Sequence, residues 1–489
     1  MKKITLLAVL LVFSQILFAE KHYKFTTTVE AAYKSALALK FNEAKQLLAK
    51  ERKENPENLM PYFVEDYIDF YTLLVDGSTA KFKKLSKNKS ARIDKLSKGD
   101  ALSPYSLYTR AEIKIHWAIL RSQYGDELTA FRELRSAYKM LKINDKQFPR
   151  FIANKKSLGM LRTIFSAIPD GYKWSARAMG VNGDFNRGYR EIKSVLAYAK
   201  KHKFLFEAEC RIIYSFLLLG IKNDEKRAWQ IINHPSINPK KSMLACFIQA
   251  DVAMKTGRND KAIQLIINKP KSKNYYKVPL MSYFLGVAKL RKLDKNAANQ
   301  LHLYLKTAHS THYFKATYLY LAWHAQIFGS KAKQKDYLKL SKVKGSTKIY
   351  DDKKASVFGK ETYNTTILKA QMLFDGGYYT KVNRVLLQKK SSDFSAKRDK
   401  INHYFLLARA AHKQKKYNKA IDYYKKTLAE GSGTKYFFVC YSALNLGKVY
   451  EVQKNKIQAR KYYNQCAKTK SEYHQSSYHK QAKEALKRL

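Results

Sequence analysis

Between Asn402 and Cys466 the large and small apolar residues return at a constant offset. Tyr404, Leu407, Ala408, Ala411, Ala420, Tyr424 and Thr427 are matched, one unit later, by Ala443, Leu446, Gly447, Tyr450, Ala459, Tyr463 and Cys466. The step from Tyr404 to Ala443, and for every other pair, is 39 residues. Each unit has a polar break, Lys415-Lys416-Tyr417-Asn418 in the first and Lys454-Asn455-Lys456 in the second. On either side the apolar positions fall three and four apart, the spacing that puts side chains on one face of a helix, so each unit predicts two antiparallel helices. A lone pair leaves its apolar face in water, and neighbours stacked against it remove that face from solvent.

The pattern extends toward the N-terminus. Residues 25–55 predict a helix pair closed by Pro56, with Ala44 at the small-residue position of the second helix. Residues 60–75 predict a ring-rich helix stopped by Asp76-Gly77-Ser78, and 105–124 with 127–142 predict another pair opened by Ser103-Pro104. Ala228, Ala262, Ala298, Ala332, Val382, Ala420 and Ala459 are candidates for the recurrent small position. Residues 159–188 hold five of the chain's 19 glycines and predict a structural joint. The expected organisation is a leader at 1–19, an N-terminal helical region at 20–170, a Gly-rich joint at 171–190 and central repeats at 191–342. A basic loop at 343–356, C-terminal repeats at 357–470 and a capping helix at 471–489 complete it. Strand-like alternation is scarce, so the expected class is all-α.

Leu446, Gly447, Tyr450, Ala459, Tyr463 and Cys466 resemble a tetratricopeptide repeat, and the preceding unit follows the same scheme. The resemblance implies a right-handed α-solenoid of antiparallel helix pairs, whose concave groove is lined by the first helix of each pair and takes a protein or peptide partner. The family's groove positions fall on Asn402, Phe405, Arg409, His412 and Lys413, then on Tyr441, Leu444, Lys448 and Glu451, and around Cys246 on Leu244, Phe247, Asp251 and Met254. Rings mixed with positive charge suit an extended peptide with acidic groups or a free carboxylate. The Lys and Asn pair with which some members clamp a terminal carboxylate is replaced by Phe405 and Arg409. The chain also resembles uncharacterised secreted tetratricopeptide proteins of Bacteroidota.

Composition narrows the setting. The chain's 489 residues exceed a usual single core, and 9 Pro with 36 Tyr and 25 Phe suit a long helical array packed through rings. Residues 1–19 read as a secretory leader: Lys2 and Lys3, an apolar run to Phe13, and Ala19 at a cleavage point. The residue after it is Glu20 rather than a lipid-accepting Cys. An exported protein is expected, periplasmic, extracellular or at the outer-membrane periphery, with no transmembrane segment in the mature chain. The formal net charge is +55, enough to attract polyanions at long range. Lysines supply most of it and are spread along the chain, whereas nucleic-acid readers gather Arg and rings on one face; anionic envelope polymer is the better counter-charge. Residues 79–98 form an amphipathic basic segment, which fits either a polyanion-binding helix or the wet face of a packed one.

Four cysteines are too few for a disulfide scaffold and show no Cys-x-x-Cys spacing. Cys440 opens one predicted helix and Cys466 closes its antiparallel partner, leaving open either a bridge or two small buried residues. His302, His309 and His312 would share a face if one helix ran through all three, but Ser310-Thr311 reads as a new helix start. His-Glu-x-x-His, Gly-x-Ser-x-Gly, a Walker loop and Gly-x-Gly-x-x-Gly are absent, as is the Glu-Ser and Gly-Leu-Met-Gln pattern of soluble lytic transglycosylases. The sequence therefore predicts no catalytic residue, cofactor or metal. It predicts a scaffold that holds a protein or peptide partner in the cell envelope, with direct binding of lipopolysaccharide or peptidoglycan through the lysine surface as the alternative.

Overall fold

The structure, a computed structural model, describes residues 20–168, 174, 176–359 and 363–489. The leader expected at 1–19 and residues 171–173 and 175 of the joint lie outside the described residues. Among the described residues the fold is helical, with an isolated bridge between His22 and Asn58 and no strand, which is the all-α class expected. No helix among them is long and apolar enough to cross a membrane.

The chain forms two compact units. Unit 1 takes residues up to Val252 with Leu265–Leu280 and Ala308–Thr311; unit 2 takes Ala253–Gln264, Met281–Thr307 and His312–Leu489. The helices that fall in unit 1 are α1 (Thr27–Leu37), α2 (Phe41–Glu54), α3 (Met60–Asp76), α4 (Thr79–Leu85), α5 (Asn88–Leu96), α6 (Pro104–Gln123), α7 (Glu127–Gln147), α8 (Ile152–Ser166), α9 (Phe185–Lys201), α10 (Glu207–Leu217) and α11 (Glu225–Ile232). Next in the chain are α12 (Met243–Lys255), α13 (Asn259–Ile267), α14 (Leu280–Arg291) and α15 (Ala297–Thr307). Unit 2 continues with α16 (Phe314–Ile327), α17 (Lys331–Val343), α18 (Tyr350–Phe358), α19 (Thr365–Asp375), α20 (Tyr379–Leu386), α21 (Lys397–Lys413), α22 (Tyr417–Glu430), α23 (Phe437–Val452), α24 (Lys456–Lys468) and α25 (Gln475–Arg488).

Sequence neighbours pair: α1 with α2, α6 with α7, α8 with α9, α16 with α17, α19 with α20, α21 with α22, and α23 with α24. Short acidic caps set where several begin. Asp126, Asp184 and Asp224 each accept the backbone N–H three residues on, satisfying a donor that the first turn leaves without a partner. The polar breaks of the two C-terminal units turn through left-handed backbone at equivalent positions, Lys415 at φ 59° and Lys454 at φ 60°.

The recurrent small positions do what close helix approach requires. Ala44, Ala228, Ala262, Val382, Ala420 and Ala459 are wholly buried. Two of the candidates are misplaced. Ala297 rather than Ala298 is the buried alanine of α15, and Ala332 is exposed because α17 buries little more than Ser341. Gly447 packs directly beneath the Tyr463 ring, where an added Cβ would stand 2.5 Å from a ring carbon. Gly447→Ala is therefore expected to cost about 1–3 kcal/mol by overpacking. Hydrogen exchange in α23 and α24 checks this, and unchanged protection would refute it.

The Gly-rich region carries a second close approach. A Cβ on Gly159 would stand 2.8 Å from the Gly188 carbonyl oxygen, so α8 and α9 cross backbone to backbone and the helix pairing runs straight across this stretch. The stretch expected as a basic loop at 343–356 is helical from Tyr350, as α18, with Asp351 and Asp352 in its first turn. Asp352 also caps α16 by accepting the N–H groups of Tyr313 (2.8 Å) and Ala316 (3.0 Å). In the 79–98 segment the helices α4 and α5 pair with acids of unit 1: Lys81 with Asp76, Arg92 with Asp69, and Lys89 with Glu133. At the other end α25 buries Ala482 and Ala485 against Tyr463 and Cys466, and Arg488 grips Glu451 of α23 through two nitrogens, at 3.0 and 2.9 Å.

Candidate functional site

Unit 2 holds a cavity of about 250 Å³ walled by the first helices of four pairs and by α18. Tyr320 and Trp323 reach it from α16, Phe358 and Lys354 from α18, Leu368, Gln371 and Asp375 from α19, Arg398, Asn402 and Arg409 from α21, and Phe437 and Phe438 from α23. Each wall follows from helical spacing: Tyr320 and Trp323 are three apart, as are Asp351 and Lys354, and Asn402 and Arg409 are two turns apart, on one face.

Its electrostatics centre on Arg409. The guanidinium lies 3.9 Å from the centre of the Phe374 ring, 5.2 Å from Phe405 and 5.8 Å from Tyr441. Ring faces attract a cation without neutralising it. No carboxylate lies within ion-pair distance of Arg409 among the described residues. Arg398 differs: it stacks over Tyr436 and Phe438 and also meets the Glu472 carboxylate at 3.1 Å. Asn402 is 4% exposed, and among the described residues its side-chain oxygen has no donor within reach. A buried acceptor without a donor costs free energy that a ligand's N–H would recover. Opposite these groups Tyr320, Trp323, Phe358 and Leu368 give an apolar wall.

Of the residues the repeat register placed in a groove, the cavity brings together Asn402 and Arg409. Phe405 is 1% exposed and supports Arg409 from the core, and Tyr441 flanks the guanidinium. Leu444 is wholly buried in the C-terminal core. His412 bonds the Tyr424 hydroxyl; burial, with Lys413 and Lys448 nearby, pushes its pKa down to about 4, so it is neutral at physiological pH. Lys448 donates to Gln481 of α25, and Lys413 is exposed beyond the cavity. Lys354 and Phe358 escaped the sequence reading because the repeat register breaks between Ala332 and Val382, and Trp323 and Arg398 because they lie outside the units onto which groove positions were carried.

A second charged cluster lies in the core of unit 1. The Lys156 ammonium is wholly buried, 2.6 Å from Glu112 and 2.5 Å from Glu209. Glu209 also accepts the hydroxyls of Tyr33 (3.1 Å) and Tyr67 (2.9 Å), and Ser157 donates to Glu112. Next to it Asp66 receives His116 and the Trp117 indole N–H, each at 2.8 Å. Burial pushes the Glu209 carboxyl up, but the Lys156 ammonium, His116 and the Tyr67 hydroxyl together outweigh it and hold the group below the usual carboxylate range. Burial likewise pushes Lys156 down, and the two carboxylates more than reverse this. Glu112, His116 and Glu209 have donor atoms close enough for a metal ion, and the cation seated between the two carboxylates is the ammonium. The signal in the sequence was Tyr108, Glu112 and His116 at four-residue steps inside an apolar helix. The candidate trio His302, His309 and His312 is split, since α15 ends at Thr307 and α16 begins at Phe314; His302 meets the Tyr337 hydroxyl and His309 meets Asp76.

Residues 403–428, most of α21 and α22, match the tetratricopeptide repeat family. Solved structures similar to this chain include yeast Tom70, at 11% identity and TM-score 0.23, covering 93% of this chain and 96% of that one. A circular tandem repeat protein with novel repeat topology matches at 10% identity and TM-score 0.19, over 94% and 93%. Naa15/Naa10 bound to HypK-THB matches at 12% identity and TM-score 0.21, over 95% and 79%. No curated protein matches the sequence.

Proposed function

We propose that this is an exported, non-enzymatic helical-repeat protein that holds an extended segment of a protein partner in the unit 2 cavity. An anionic group of the segment pairs with Arg409, a backbone N–H of it donates to Asn402, and an apolar side chain rests on Trp323 and Phe358. The observation that carries this reading is the juxtaposition, among the described residues, of an arginine held by rings without a counter-ion and a buried amide oxygen without a donor. A backbone N–H beside a carboxylate is the signature of a peptide, and a cavity of about 250 Å³ takes one or two side chains rather than a folded domain.

A photo-crosslinking residue at Trp323 is expected to capture one partner in cells, while the same residue at Ile457, 80% exposed on α24, captures none. Arg409→Gln is expected to weaken binding of the captured segment about 10–100-fold, the worth of a charge-assisted hydrogen bond. Equal capture at both positions, or unchanged affinity, would sink the assignment. The competing reading, anionic envelope polymer on the lysine surface, rests on the net charge of +55. Binding of that kind weakens steeply as salt rises, whereas a segment seated among rings loses little.

A further inference from the structure

The sulfurs of Cys440 and Cys466 lie 3.3 Å apart, and both residues are wholly buried. Cys440 stands in the first turn of α23 and Cys466 in the last turn of α24, so the antiparallel pairing of the two helices brings the thiols face to face. The backbone there is fixed from three sides: Gly447 packs on Tyr463, Tyr463 donates to Glu451 at 2.6 Å, and α25 covers the pair with Tyr478 and Ala482. The other two cysteines differ. Cys246 donates to the Leu265 carbonyl at 3.1 Å, Cys210 sits among aliphatic and aromatic side chains of unit 1, and neither has a second sulfur beside it. Burial pushes both of those thiols up to about 12, whereas Cys440 is held below its usual value by the hydrogen bond from Cys466.

We infer that Cys440 and Cys466 are a disulfide-forming pair that staples α23 to α24 when the protein folds in an oxidising compartment. The reaction needs a disulfide oxidant, of which oxidised glutathione is the simple case. The Cys440 thiolate attacks one glutathione sulfur and expels a glutathione thiolate, giving a mixed disulfide. The Cys466 thiolate then attacks the Cys440 sulfur and expels the second glutathione thiolate. Two protons and two electrons leave the pair, and two molecules of glutathione are formed. The staple spans 26 residues of chain. It fixes the helix that carries Phe437 and Phe438, the far wall of the cavity.

The full chain is unfolded with reductant, refolded by dilution into a buffer of oxidised and reduced glutathione, quenched with acid and alkylated in denaturant. Only the fraction that regains native helical circular dichroism is digested and weighed. The pair is expected to give one linked peptide holding Cys440 and Cys466, about 2 Da below the sum of its reduced halves. Cys210 and Cys246 are expected to carry the alkyl label. In Cys466→Ser, Cys440 is expected to regain the label or to carry glutathione. Four labelled cysteines in the refolded wild-type chain would overturn the inference, as would a bridge that uses Cys210 or Cys246.

Discussion

Lys156→Met is expected to destabilise unit 1 by about 3–5 kcal/mol, because it removes the cation and leaves two carboxylates facing each other in the core. The geometry is unlike that of a surface pair such as Lys426 with Asp422, whose two side chains are about half exposed and whose loss costs about 0–1 kcal/mol. Lys156 is wholly buried with its two carboxylates, and Glu209 depends on the ammonium and two tyrosine hydroxyls for its compensation. The variant with Lys156→Met, Glu112→Gln and Glu209→Gln together is expected to recover most of the loss, since the repulsion goes with the charges. Hydrogen exchange in α6, α8 and α10 reads the effect locally; protection equal to wild type in Lys156→Met would refute it. The same cluster sets an acid limit. Glu209 has a lowered folded pKa, so its contribution is complete above the unfolded value of 4.5 and is lost as pH falls through the folded one.

What the sequence made legible follows the distance over which each feature is determined. The C-terminal helix pairs could be read because their packing is local and repeated: Ala420 and Ala459, Tyr424 and Tyr463 occupy one register and are all buried. Arg409 and Asn402 could be named for the same reason, although the register could not tell Phe405 and Leu444, which turn into the core, from residues that line the cavity. Ala332 was chosen by spacing alone, and spacing has no grip on α17, a helix whose outer position leaves it little to bury. The ionic core was out of reach because its members come from separate helices, with 44 residues between Glu112 and Lys156 and 53 between Lys156 and Glu209. Nothing in the neighbourhood of any one of them fixes its partner. The lysine-rich composition around residue 350 disguised α18 in a related way. Of its first-turn acids, Asp352 serves a helix end that lies 36 residues away in sequence.

That contact makes the N-terminus of α16 sensitive to pH in the direction opposite to the ionic core. Asp352 is wholly buried. Burial pushes its carboxyl up and the neighbouring Asp351 adds to this, while the N–H groups of Ala316 and Tyr313 and the Lys315 ammonium pull it down; the balance is a pKa of about 7. A carboxyl whose folded pKa exceeds its unfolded value of 3.8 binds a proton in the folded state that the unfolded chain releases. Stability is therefore expected to fall as pH rises from about 4 to about 7, by up to about 1.4 kcal/mol per unit and roughly 4 kcal/mol in all. Hydrogen exchange of α16, corrected for the intrinsic pH dependence of the exchange chemistry, is the measurement. Protection is expected to be greater at pH 5.5 than at pH 7.5, and Asp352→Asn is expected to flatten the difference, even though an amide gives up one of the two N–H contacts. A slope that survives in Asp352→Asn would assign it to another group. Because α16 carries Tyr320 and Trp323, loosening of its first turns at higher pH reaches the apolar wall of the cavity. Affinity for a bound segment should then decline over the same pH range.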